Sequence, residues 1–400
     1  MDWNFLIRNK SSITVTTDSR TVTPGCVFVA LKGEHFDGND YVEQAKKDGA
    51  VYIIKGENAL AELQDLARAW RRQWGKTVIA ITGTNGKTTT KELTATVLRT
   101  KYNVLYTEGN YNNALGVPLT LLRLTDEHDL AIIEMGASHP GDIKELVDIA
   151  EPNYGLITNV GRAHLQGFGS FEGVKRTKAE LYDYLLAHNG TIFQNADNPF
   201  LKEMLANSAC ALTSDCKALL YPSSPMLEGT HLVGDYNAEN IQAAICVGAH
   251  FGISRNNAED AIRAYIPTNN RSQAMKTEHN DLVVDAYNAN PTSMTAAIQA
   301  FQQPHSSTDG NDAVYILGAM RELGDYSKLE HQNIANMLLE RKENNVFLVG
   351  DEWKDTTAPY PIFSDVNELA AFINMHPITN KRVLIKGSHS NHLEKIITSL

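Results

Sequence analysis

Thirteen residues constrain the fold of this chain more than any others: Val78-Ile79-Ala80-Ile81-Thr82-Gly83-Thr84-Asn85-Gly86-Lys87-Thr88-Thr89-Thr90. An apolar, β-branched run ends in a glycine-containing turn. Lys-Thr follows, and Leu93, Val97 and Leu98 then recur on one helical face. A strand feeding a tight loop that opens a helix presents free backbone N–H groups and the positive end of the helix dipole to a phosphate. In that geometry Gly83, Thr84, Asn85, Gly86, Lys87, Thr88 and Thr89 form the loop. Lys87 reaches the β- and γ-phosphates of a nucleotide, and the Thr88 hydroxyl reaches Mg²⁺. The plainer alternative is a surface turn with a solvated lysine. Strand, two glycines, Lys-Thr and helix in the required order argue against it. The common phosphate loop has a further glycine five residues before the second one, and Ile81 stands there. This is a shorter Gly-x-x-Gly-Lys-Thr form.

The runs 78–82, 130–135, 154–160 and 191–195 are apolar throughout and separated by helix-length segments. Such strands predict a parallel sheet covered on both faces, with ligands gathered at the carboxyl ends of its strands. Glu134 and Asn159 fall at such ends. Residues 1–75 read as a small α/β domain, with strands at 13–16, 27–31 and 51–54. A polar helix with Leu60, Leu63, Leu66 and Trp70 leads to a boundary at Trp74-Gly75-Lys76. A central domain takes 76–268. From 269 to 400 the alternation restarts at 282–286, 313–317, 345–349 and 382–385, which predicts a second doubly wound, Rossmann-like sheet. No Gly-x-Gly-x-x-Gly follows its first strand, so a dinucleotide is not expected there. The weakest stretch is the polar loop 306–312.

A chain of 400 residues suggests two to four domains. A net charge of −11 argues against a nucleic-acid-binding face, so an anionic nucleotide needs locally placed cations. Arg20, Lys32, Lys87, Lys178 and Arg271 are candidates. Cys26, Cys210, Cys216 and Cys246 show no C-x-x-C pair, which fits reduced thiols in a reducing compartment. Met1-Asp2-Trp3-Asn4 is not a basic leader, and no apolar run approaches about 18 residues, so neither export nor membrane insertion is expected.

The acid of Ile132-Ile133-Glu134-Met135-Gly136 is suited to Mg²⁺, because it follows an apolar strand of the same sheet. It could equally be a strand-end carboxylate in a salt bridge. His164 and Lys178 alone would read as a structural imidazole and a solvated helix face. Taken in order, however, residues 83–89, Glu134-Met135-Gly136, Asn159 to His164 (159–164), Lys178-Ala179-Glu180 and Gly234-Asp235-Tyr236-Asn237-Ala238-Glu239-Asn240 resemble the central motifs of the Mur ligase family. These are ATP-dependent amide-forming enzymes of peptidoglycan synthesis. The resemblance covers essentially the whole chain. Asp18-Ser19-Arg20, the segment 28–33 and Asp37-Gly38 resemble the UDP-sugar-binding domain of the members that add the third residue and the final dipeptide. Asp285-Ala286-Tyr287-Asn288-Ala289-Asn290-Pro291, the segment 317–324 with His331, and Lys386-Gly387-Ser388 resemble the branch that adds D-alanyl-D-alanine.

That resemblance implies an α/β chain of three domains: a small UDP-sugar-binding domain, a central parallel-sheet ATPase domain with the phosphate loop, and a Rossmann-like C-terminal domain. It implies ATP, two Mg²⁺ ions, UDP-N-acetylmuramoyl-tripeptide and D-alanyl-D-alanine as ligands, and a cytoplasmic, bacterial monomer. Lys87, Glu134, His164 and Lys178 would be catalytic. Thr88, Glu134, His164 and a carbamylated Lys178 would hold metal, although imidazole is an unusual partner for hard Mg²⁺. Asn240 would meet the adenine, and Arg271 and Asp285 the phosphates and ribose. Ser19, Arg20, Lys32, Asp37, Gly38, Tyr287, Asn288 and Asn290 would bind the other substrates. Carbamylation needs a neutral amine, and an unperturbed lysine is neutral only about one part in 10³ near pH 7.4. The chain departs from the family pattern at Val284, where an aspartate is common, at Tyr236, where histidine is frequent, and at His389, where arginine is usual. Other readings are a diaminopimelate-adding or folylpolyglutamate-type ligase of the same superfamily, and a non-catalytic nucleotide-binding scaffold.

Overall fold

The computed structural model describes residues 14–33, 36–208, 217–268, 271–301 and 313–400. Residues 1–4, Ile13, Cys210, Cys216 and the polar loop 306–312 lie outside the described residues. Three sheets organise the described residues, one of three strands and two of six.

The first sheet is parallel, in the order β1 (Val15–Thr16), β2 (Val27–Val29), β3 (Tyr52–Ile54). The short helix α1 (Val42–Lys47) buries Val42 and Ala45 against Phe28 and Ala30 on one face. On the other face Val27, Val29 and Ile54 share a cluster with Leu63, Leu66, Ala67 and Trp70 of α2 (Ala59–Trp74). Leu60, which the sequence grouped with these leucines, is instead exposed. The helix also docks on the central sheet's helices. Trp70 Nε1 donates to Leu124 O at 3.1 Å, Arg68 Nε to Asp148 O at 2.8 Å and Arg71 Nε to Ala150 O at 3.0 Å.

The central sheet contains β4 (Thr77–Thr82), β5 (Val104–Tyr106), β6 (Leu130–Glu134), β7 (Tyr154–Ile157), β8 (Thr191–Asn195) and β9 (Lys217–Tyr221). All are parallel, in the order β5-β6-β4-β7-β8-β9. Period-two alternation buries β4 on both sides. Val78 and Ala80 join the cluster that holds α2, α4 (Gly116–Leu121), α5 (Asp142–Ala150) and α7 (Phe171–Ala187). Ile79 and Ile81 join the opposite cluster with α3 (Lys87–Leu98), α9 (Asn237–His250) and α10 (Arg255–Ala264). The short α6 (Leu165–Phe168) precedes α7, and α8 (Pro199–Asn207) follows β8. The strand order reverses at β4, whose neighbours are β6 and β7. The loops after these three strands therefore open into one crevice. The expected strand 154–160 stops at Ile157, because 158–161 peels away to hold the phosphate loop. The edge strands β5 and β9 lack a long apolar run and were not foreseen.

The last sheet runs β10 (Gln273–Lys276), β11 (Asp281–Asp285), β15 (Arg382–Lys386), β12 (Ala313–Gly318), β13 (Val346–Val349), β14 (Ile362–Phe363). Only β10 is antiparallel, against β11, and this polar edge strand and the two-residue β14 escaped the sequence pattern. Tyr315 and Leu317 face a cluster with α11 (Pro291–Phe301) and α12 (Ser327–Glu340). Val314 and Ile316 face α13 (Val366–Met375) and the C-terminal 3₁₀ turns. The last strand inserts between β11 and β12, so Lys386 pairs in register with both Asp285 and Leu317. No described helix is long and apolar enough to cross a membrane.

Candidate active site

The two large sheets turn their carboxyl ends toward each other across a cavity of about 850 Å³. On one side stands the loop between β4 and α3. Gly83 has φ +144° and Gly86 φ +78°, conformations that favour glycine. A Cβ at Gly83 would meet Thr158 Oγ1 at 2.0 Å, and one at Gly86 would meet Asn240 Oδ1 at 2.4 Å. The loop after β7 clamps it. Thr84 N donates to Asn159 O (2.9 Å), Asn85 N to Asn159 Oδ1 (3.0 Å), and Thr158 Oγ1 to Asn85 O (2.6 Å). No side chain caps the N-terminus of α3, which leaves its first N–H groups for an anion.

Lys87 folds back over this loop and donates to Gly83 O (2.8 Å) and Thr84 O (3.0 Å). It keeps some surface in the cavity, yet protein surrounds it on most sides. That desolvation lowers its ammonium to about 8, with Glu134 opposing and Arg271 reinforcing the shift.

Glu134 ends β6 and is fully buried. Its Oε1 accepts from Thr88 Oγ1 (3.1 Å) and from Asn112 Nδ2 (2.8 Å). Its Oε2 has no hydrogen-bond partner, and Lys91 Nζ lies 3.9 Å away. An orphaned carboxylate oxygen beside a threonine hydroxyl is a hard-oxygen donor set, and these residues fit Mg²⁺.

Lys178, on α7, is 2% exposed. Burial first, then the charge of Lys87, hold its amine well below the ordinary lysine range. Its Nζ lies 5.8 Å from the centroid of the Phe168 ring. The solvated helix face is thereby excluded.

His164 adopts the left-handed region (φ +49°) and its Nδ1 contacts Glu322 of the C-terminal sheet's side. That contact holds the Glu322 carboxyl below its usual range.

The C-terminal side contributes Asp285, Tyr287, Asn288, Arg321, Lys386, Ser388 and His389. Buried Lys386 donates to Asp285 Oδ2 (2.7 Å) and Asn288 O (3.1 Å) and so fixes the loop after β11. The Arg271 guanidinium stacks on Tyr287 at 3.9 Å. His331 is structural. Its Nε2 accepts from Met320 N (3.0 Å), so the proton sits on Nδ1 and is donated to Ser327 O (2.8 Å).

Thr84, Asn85, Gly86, Lys87, Thr89, Glu134, His164, Asn240, Arg271, Asp285, Tyr287 and Asn288 thus line one cavity. Gly83, Thr88, Lys178 and Asn290 do not line it. Asn290 was expected to face a ligand. Its amide is spent elsewhere, with Nδ2 donating to Asn85 Oδ1 (2.8 Å) across the cleft and Oδ1 accepting from Ser293 N (2.9 Å). Asn240 is also engaged, accepting from Thr90 Oγ1 (3.0 Å) and donating to Asn237 Oδ1 (2.9 Å). Further bonds join the two sides. Arg162 N donates to Thr292 Oγ1 (3.1 Å), and Arg162 Nη1 to Glu330 Oε1 (2.8 Å).

Ser19, Arg20, Lys32, Asp37 and Gly38 lie apart from the cavity, in loops of the first sheet. Arg20 forks onto Asp18, whose carboxyl it depresses to about 2. Lys32 stands 4.0 Å from Asp37. A Cβ at Gly38 would meet Leu31 O at 2.6 Å, so only glycine fits there. Sequence reasoning missed Asn110, Asn112 and Asn113. They line the cavity from the turn after β5, and an asparagine-rich turn after a strand of the phosphate-loop sheet was the available signal.

A phosphate loop at the switch point of one parallel sheet, faced by the strand ends of a second, defines a multidomain nucleotide-binding α/β protein. Three family models match in succession: "Mur ligase family, catalytic domain" over 14–96, "Mur ligase middle domain" over 81–248 and "Mur ligase, glutamate ligase domain" over 270–391. The chain belongs to the Mur ligase family. It is 33% identical to the UDP-N-acetylmuramoyl-tripeptide--D-alanyl-D-alanine ligase of Escherichia coli, over 96% of this chain and 93% of that protein. It is 32% identical to the Bacillus subtilis ligase of the same name, over 96% and 92%. Among solved structures it resembles MurF from Acinetobacter baumannii (TM-score 0.83, 29% identity, 97% of this chain and 93% of that one). It also resembles MurF ligase from Thermotoga maritima in complex with ADP (TM-score 0.84, 25% identity, 98% and 97%).

Proposed function

We propose that this chain is an ATP-dependent ligase that adds D-alanyl-D-alanine to UDP-N-acetylmuramoyl-tripeptide, giving ADP, phosphate and the pentapeptide product of peptidoglycan synthesis. One observation carries the reading: the phosphate loop and the 285–288 segment line the same cavity. An amide does not form from a carboxylate at neutral pH without activation. The tripeptide's terminal carboxylate oxygen attacks the γ-phosphorus of ATP, and ADP leaves. The dipeptide's amine then attacks the acyl carbon, loses a proton, and expels phosphate. Lys87 and the loop N–H groups hold the β- and γ-phosphates and offset the charge that develops between them. Arg271 and Asp285 meet phosphate and ribose, and Asn240 keeps Gly86 beneath the nucleotide and meets the adenine with the N–H and lone pair left over from its bonds to Asn237 and Thr90. Tyr287 and Asn288 face the incoming dipeptide. Ser19, Arg20, Lys32, Asp37 and Gly38 take the UDP portion.

Thr88 and Glu134 would hold one Mg²⁺, and His164 with Lys178 a second; Mg²⁺ supplies charge neutralisation on the phosphates. The neutral amine favoured at Lys178 can attack CO₂, form an N–C bond and release a proton, leaving a carbamate oxygen for metal. The domains span 1–75, 76–268 and 269–400. The enzyme works as a monomer in the bacterial cytoplasm and binds no nucleic acid, in keeping with its net charge of −11. The test is phosphate release from ATP with UDP-N-acetylmuramoyl-tripeptide and a panel of acceptors. D-alanyl-D-alanine should be required and free D-alanine should be poor, because a polar pocket rejects ligands lacking its matching groups. Faster release with diaminopimelate, lysine or glutamate would overturn the substrate assignment.

A further inference from the structure

Past the Lys386-Gly387 end of β15, the chain makes a single 3₁₀ turn, His389–Asn391. The turn is held rigidly. Ser388 N donates to Asn391 Oδ1 (2.8 Å), Asn391 N to Ser388 O (2.9 Å), and Ser388 Oγ to Ala319 O (3.1 Å). His392 closes it in the left-handed region, with its N–H on His389 O at 3.0 Å. The His389 and His392 ring centroids lie 5.8 Å apart, so the two imidazoles stand on one side of the turn. Glu394 follows, with Oε1 3.5 Å from His392 Nδ1. One ligand atom from each of His389, His392 and Glu394 lies within 4.8 Å of the others. Ligand atoms around tetrahedral zinc are about 3.3 Å apart. His389 and His392 are exposed and Glu394 half-buried, so side-chain rotation can close the difference.

We propose that His389, His392 and Glu394 form a site for a divalent transition metal of the zinc class, and that loading it slows turnover. Two imidazoles and one carboxylate suit Zn²⁺, Co²⁺ or Ni²⁺ and are poor for Mg²⁺, which prefers an all-oxygen shell. The backbone turn is already formed, so ligation orders little beyond three side chains. The coupling to turnover runs through His389, the one member that lines the cavity. Its backbone N–H donates to Tyr287 O (3.1 Å) and its ring lies 5.9 Å from the Tyr287 ring. A metal drawing this imidazole toward His392 and Glu394 moves it off Tyr287 and alters the cavity wall where the acceptor is proposed to enter.

The test is a titration of the full chain with Co²⁺ in excess Mg²⁺, read by visible d–d absorption and by Zn²⁺ displacement. It is run on the wild type, His392→Asn and Glu394→Gln. Neither position lines the cavity, and asparagine tolerates the φ of +53° at 392. The wild type should take up one Co²⁺, and each variant should bind it roughly tenfold or more weakly, since losing a direct ligand costs no less than losing its supporting partner. Turnover in Mg²⁺ without added transition metal should be unchanged in both variants, and the Zn²⁺ concentration that halves turnover should rise by the same factor. Equal Co²⁺ affinity in all three proteins would overturn the site. Weaker binding in the variants with unchanged Zn²⁺ inhibition would overturn its link to the cavity. The metal titration does not depend on the ligase assignment, so the two can fail separately.

Discussion

Nucleotide binding to this chain should take up a proton, and Lys87 is the reason. Its ammonium is lowered from the ordinary 10.5 to about 8, chiefly by desolvation in the cavity wall. A β- or γ-phosphate beside it favours the charged form and restores the pKa toward its ordinary range. Binding therefore selects the protonated amine, and affinity falls as pH rises through 8. With a free value near 8 and a bound value near 10.5, binding takes up about 0.1 proton at pH 7 and about 0.9 at pH 9. Over the same interval affinity weakens about tenfold. The assay is calorimetric titration of ADP with Mg²⁺, in two buffers of different ionisation enthalpy at each pH. The difference between buffers counts the protons. Lys87→Met supplies the control, since it removes this group and leaves the nucleotide's own titration. The variant should lose the uptake at pH 9 and bind ADP weakly at both pH values. Equal proton uptake in the wild type and Lys87→Met at pH 9 would refute both the depressed pKa and the placement of phosphate on this loop.

Lys178→Ala should be nearly inactive and partly rescued by millimolar short-chain carboxylates, and native mass spectra of the wild type should carry one added CO₂. A fully active Lys178→Ala would remove the metal role. Asn112→Ala deletes a hydrogen bond that orients the buried Glu134 carboxylate, and losing such a supporting partner of a metal ligand weakens the metal roughly ten- to hundredfold, so half-saturating Mg²⁺ should rise by about that factor. An unchanged Mg²⁺ titration would separate Asn112 from the cation. Ile81→Ala opens a cavity in the central strand and should cost about 2–5 kcal/mol by denaturant unfolding. A loss below about 1 kcal/mol would contradict the two-faced burial of β4.

What was legible from the residues alone is what short-range physics controls. Apolar runs at 78–82 and 130–134 are buried on both faces, which dictates a covered parallel sheet. Gly83 and Gly86 occupy backbone conformations and close approaches that a side chain forbids. Glu134 follows its strand into the same crevice because parallel strands end on the same side. The edge strands β5, β9, β10 and β14 were not legible, since an edge need not be continuously apolar.

Which distant groups meet depends on how the sheets and helices pack. Lys178 lies on a helix whose polar pattern fits solvent equally well, and packing on both sides is what strips its water. Asn112 reaches Glu134 from another strand's turn. Asn290, which locally reads as a free ligand-binding amide, is consumed in spanning the cleft to Asn85. Lys386 meets Asp285 only because the last strand inserts between β11 and β12. Such pairings join residues up to 205 positions apart, and they depend on strand order and register, which no local pattern of side chains encodes.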